Sequence, residues 1–63
     1  MKGYSSREII SLMIADGWFL VDTRGDHHYF KHPNKPGKVT VPHPKKDLPR
    51  KTIENILNQA QLK

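Results

Sequence analysis

The chain has 63 residues, no cysteine and a formal net charge of +5. That length allows one small domain around one core, so residues 1–63 read as a single unit, and the missing thiols exclude a disulfide scaffold, thiolate catalysis and cysteine-ligated zinc. The longest apolar runs, IISLMIA and WFLV, are far too short to span a bilayer, and the N-terminus lacks a signal-peptide layout. The expectation is a soluble, cytoplasmic protein with no membrane partner.

The first element lies in YSSREIISLMIADGW. Ser5 and Glu8 have the spacing of a capping box, in which a serine oxygen accepts from a first-turn amide while the glutamate reaches back to the cap. Ile9, Ile10, Met13 and Ile14 recur at helical spacing and form the expected buried stripe. Gly17 supplies the left-handed residue that commonly ends a helix. WFLVDT then reads as a strand, rich in residues that suit a pleated surface. Gly25 and Asp26 make a two-residue reversal before HHYFKH resumes the extended pattern. PNKPGK is a loop, because prolines cannot donate to a ladder, and VTVP is a short third strand.

Prolines keep VPHPKKDLP extended. Pro49 suits the first helical position, with Asp47 near the positive end of the helix that follows. Ile53, Ile56, Leu57 and Ala60 repeat at i, i+3, i+4 and i+7, the pattern of a second amphipathic helix. The expected fold is α+β with the order α-β-β-β-α: a three-stranded antiparallel meander with two helices on one face. Its core would combine the helix stripes with Trp18 or Phe19, Leu20, Phe30, Val39 and Val41, leaving the other sheet face open.

Charge is concentrated. Residues 31–51 hold seven Lys and Arg against the single acid Asp47, a net of +6, so the rest of the chain is close to neutral. A basic segment of this kind attracts nucleic acid, or simply solvates a surface. Lys31, Lys45, Lys46 and Arg50 are the candidate phosphate-binding groups.

RGDHHYFKHP gathers three histidines. Alternation places His28 and Phe30 on one face of a strand and His27, Tyr29 and Lys31 on the other, provided that no bulge near Gly25 or Asp26 swaps the faces. Adjacent histidines diverge across the pleat, and no carboxylate stands at a metal-ligand spacing, which argues against a metal site. His28 reads as a packing residue beside Phe30. His27 reads either as an ordinary strand residue or as a general base that takes the proton of a ribose 2′-hydroxyl, with Tyr29 and Lys31 beside it to contact RNA. From the residues alone these readings stay open, as do a non-catalytic RNA-binding module and a domain that only docks an acidic protein.

The opening helix ending in DGW, the segments GDHHYFKHP and GKVTVPHPKKDLP, and the closing helix together resemble the HicA family of toxins from HicA–HicB toxin–antitoxin pairs. The resemblance covers nearly the whole chain. It implies a double-stranded-RNA-binding-domain-like fold and an endoribonuclease that cleaves mRNA and arrests translation without metal or cofactor. It also implies a HicB-type antitoxin that masks the toxin. Family members carry Gly-Ser-His at the catalytic position, so the resemblance assigns catalysis to His27, held by a turn at Gly25 and Asp26. Asp26 stands where the serine is usual. Its carboxylate would either orient the His27 ring or repel an incoming phosphate. Ala60-Gln61-Leu62 replaces the usual Ala-Gly-Leu and removes a helix-ending glycine.

Overall fold

The computed structural model describes residues 3–62. The elements follow the order α1 (Ser6–Asp16), β1 (Phe19–Arg24), β2 (His27–Lys31), β3 (Val39–Pro42) and α2 (Arg50–Gln59). The strands form one antiparallel sheet in the order β1-β2-β3. This is the expected α+β architecture.

Local chemistry sets the limits of α1. Ser5 Oγ accepts from the Glu8 amide at 3.2 Å, and Glu8 Oε1 accepts from the Ser5 amide at 2.9 Å, so two donors that a helix start leaves orphaned are satisfied reciprocally. At the other end Gly17 adopts φ +111°. A Cβ added there would stand 2.8 Å from His32 Nε2, so the position demands glycine for space as well as for conformation. Pro49 is the N-cap of α2 rather than its first helical residue, with an extended ψ of 143°. Gln61, in place of a glycine, carries the positive φ of 55° beyond α2.

The core comprises Ile9 and Met13 of α1, Trp18, Phe30 of β2, Val39 and Val41 of β3, Leu48, and Ile53, Ile56 and Ala60 of α2. Ile10 and Leu57 pack partly buried at its margin. Two expectations need correction. Leu20 is 49% exposed and Ile14 58% exposed. The buried cluster is built on β2 and β3 and draws no residue from β1, every residue of which is exposed. A register shift between Leu20 and Asp22 further breaks the alternation of that edge strand. Because the irregularity sits in β1, the faces of β2 stand as the simple alternation assigns them: His28 pairs with Val41 and Phe30 with Val39 on the core side.

A second layer of contacts ties loops to helices. His32 Nδ1 accepts from the amides of Asn34 and Lys35, so the proton lies on Nε2, which donates to the Asp16 carbonyl oxygen at 2.8 Å. Its ring also meets Trp18 edge-on at 5.3 Å. The Lys35 ammonium binds the Asp16 carboxylate and donates to the carbonyls of Ala60, at 3.1 Å, and Gln61, at 3.3 Å. One lysine thereby links the end of α1 to the residues that follow α2. That ammonium is the main reason the Asp16 carboxyl is held below the ordinary value of 3.8.

Candidate active site and nucleic-acid face

The turn between β1 and β2 is two residues long, and of its two central positions only Gly25 has a positive φ, +58°. That is the pattern of a turn with glycine at the first central position, whose twist matches the flanking strands. It delivers His27 as the first residue of β2, opposite Arg24 on one side and Pro42 on the other. The His27 side chain is 54% exposed, on the face away from the core.

Asp26 does meet it. Asp26 Oδ1 lies 3.3 Å from His27 Nδ1, which leaves Nε2 as the ring nitrogen free to face a substrate. A carboxylate against Nδ1 fixes the orientation and tautomer of an imidazole. Tyr29 and Lys31 follow at two-residue steps on the same face, and Lys38 Nζ sits over the Tyr29 ring, 4.9 Å from its centroid.

The remaining candidates lie elsewhere. The backbone of Lys45 is bound to Ser6 at the start of α1, with the Lys45 amide 2.9 Å from Ser6 Oγ. Lys46 is exposed in the same segment. Arg50 opens α2 and pairs with Glu54 one turn on, at 3.5 Å. These three cations belong to the segments that feed the helices, whereas His27, Tyr29 and Lys31 form a row along β2.

Sequence reasoning missed a cluster centred on His43. Its Nδ1 is 2.7 Å from Ser6 Oγ, and its ring meets His28 edge-on at 4.8 Å. The His43 backbone amide donates to the Asp26 carbonyl oxygen at 2.8 Å. His43 therefore joins the turn that carries His27 to the first residue of α1. His28 packs here, with its Nδ1 buried and lacking a hydrogen-bond partner. The available signal was the alternation Val39, Val41, His43, which places His43 on the core side of β3's path. Among the described residues no group of three or more His, Cys, Asp or Glu side chains could hold a metal ion, and no helix is long and apolar enough to cross a membrane.

A family model for the HicA toxin of bacterial toxin–antitoxin systems matches residues 6–62. No curated protein matches. Among solved structures, a chain of a toxin–antitoxin complex from Streptococcus pneumoniae is similar in fold, with a TM-score of 0.74 and 22% identity, over 90% of this chain and 95% of that one. The family match spans both helices, all strands and the turn at Gly25, and on it the chain belongs to the HicA toxin family.

Proposed function

We propose that the protein is the toxin of a type II toxin–antitoxin pair and acts as a metal-independent endoribonuclease on mRNA, with His27 as general base. The observation that carries this reading is the exposed His27 imidazole, oriented by Asp26 and placed at the head of a row containing Tyr29 and Lys31. His27 Nε2 takes the proton of a ribose 2′-hydroxyl. The resulting oxyanion attacks the adjacent phosphorus and expels the 5′-oxygen, which takes a proton from the His27 imidazolium or from water, leaving a 2′,3′-cyclic phosphate and a 5′-hydroxyl. RNA carries its own nucleophile, so the step as written calls for a base and for cations near the phosphorane, and a positioned base contributes roughly 10²- to 10⁴-fold. Lys31 supplies positive charge on the same face, and Lys45, Lys46 and Arg50 extend the basic surface that draws RNA in.

The natural regulator is a HicB-type antitoxin that covers His27, its acidic groups complementing residues 31–51. The test is RNA cleavage by the purified protein and by His27→Ala in the presence of a chelator. Cleavage by the parent and none by the folded variant supports the reading. RNA bound but left intact by the parent protein at every concentration replaces it with a non-catalytic RNA-binding module.

A further inference from the structure

We propose a second binding position on the outer face of β2: a subsite for single-stranded RNA in which a base stacks on Tyr29 and the neighbouring phosphate sits between Lys31 and Lys38. It rests on the reading of RNA as substrate and adds to it a register and a strandedness.

The placement follows from the ladder. Phe30 pairs with Val39, so Lys31, one residue after Phe30, and Lys38, one residue before Val39, flank the same end of the β2–β3 pair. Like charges side by side on a sheet repel. Among the described residues neither ammonium has an acidic partner, and Lys38 instead leans over the Tyr29 ring. Beneath them is an open depression of about 410 Å³ lined by Lys31, His32, Lys35, Gly37 and Lys38. Its floor is already committed: Lys35 is bound to Asp16 and to the carbonyls of Ala60 and Gln61, and both ring nitrogens of His32 are bound to backbone. With those floor groups bound, the free positive charge belongs to Lys31 and Lys38, an arrangement suited to one phosphate.

Spacing connects this subsite to His27. Strand rise is about 3.3 Å per residue, so His27, Tyr29 and Lys31 succeed one another at roughly 7 Å, a step comparable with one extended nucleotide. A cation over the half-buried Tyr29 ring is worth about 0.5–2 kcal/mol, against about 1–3 kcal/mol for a base stacked on an aromatic, which also brings its phosphate to the ammonium. Bound RNA therefore displaces the Lys38 ammonium from Tyr29, and the released cation meets the phosphate. A base held in a duplex cannot offer its face to Tyr29, so the protein selects unpaired RNA, although the HicA resemblance implies a fold like that of duplex-binding domains.

The test measures affinity and cleavage separately. Binding of a labelled single-stranded oligoribonucleotide by fluorescence anisotropy, with His27→Ala protein as background, is compared with binding by the same protein carrying Lys38→Gln, Lys31→Gln or Tyr29→Leu. Each substitution is expected to weaken binding about tenfold, the cost of one phosphate or stacking contact. In otherwise wild-type protein, Lys38→Gln is expected to raise KM with kcat nearly unchanged. Replacing the phosphates around the cleavage position one at a time with neutral methylphosphonate should identify one whose loss weakens binding by the His27→Ala protein but adds nothing once Lys38→Gln is also present. A matched duplex should bind at least tenfold more weakly than the single strand. Wild-type affinity in both lysine variants, or equal affinity for duplex and single strand, overturns the proposal. Because affinity is read without cleavage, that failure is distinct from a failure of His27 as base.

Discussion

Replacing Ser6 by alanine tests the His43 cluster. Ser6 is 1% exposed, and its hydroxyl oxygen lies 2.7 Å from His43 Nδ1, 2.9 Å from the Lys45 amide and 3.2 Å from the Lys45 carbonyl. Alanine leaves the Lys45 amide and the His43 ring nitrogen without this partner, in a part-buried setting. An unsatisfied buried group costs about 1–3 kcal/mol, and partial burial argues for the lower end for each of the two. Alanine's better helix propensity returns a few tenths of a kcal/mol, so the expected loss is about 2 kcal/mol. A domain of this length has roughly 3–9 kcal/mol in total, and at 4–8 °C per kcal/mol the melting temperature should fall by about 8–16 °C. Urea denaturation followed by the fluorescence of Trp18, the chain's single tryptophan, reads the change as a lower midpoint at unchanged slope. A loss below about 0.5 kcal/mol, the range of an ordinary surface substitution, refutes the cluster as a structural joint.

Three further outcomes are expected. Gly17→Ala should cost about 2 kcal/mol or more in the same denaturation assay, because alanine must adopt φ +111° while its Cβ meets the twice-anchored His32 ring. Asp16, whose carboxyl titrates below its ordinary value in the folded protein, contributes stability that is complete above that ordinary value and lost as pH falls through the folded one; Asp16→Asn should be less stable than the parent at neutral pH, and the gap should close in acid. Asp26→Ser should lower kcat by less than about fivefold in single-turnover cleavage, since an exposed carboxylate contact to the imidazole is worth at most about 1 kcal/mol.

Local signals carried most of the fold. The Ser5 and Glu8 box, the left-handed Gly17, the Gly25 turn and the faces of β2 depend on residues within a few positions of one another, and sequence pattern reads such relations directly. The exposure of Leu20 and Ile14 did not follow from pattern, because it depends on where the core is built: on β2 and β3, with β1, which carries Leu20, left as an uncovered edge and Ile14 off the buried stripe of α1. Contacts between distant residues were equally out of reach. Ser6 meets His43 across 37 positions and Lys35 meets Asp16 across 19, and neither pair belongs to a repeating spacing. For the site, alternation separated His27 from His28, yet whether Asp26 touches His27 depends on turn geometry. The structure brings them together at 3.3 Å.

The proposed activity turns on the His27 imidazole. Its most direct test is the rate of cleavage of a single-stranded RNA, with chelator present, by His27→Ala protein whose circular dichroism and melting temperature match those of the parent. Cleavage should fall by at least about a hundredfold, with RNA still bound. A folded variant that cuts at the parent rate would contradict that role for His27.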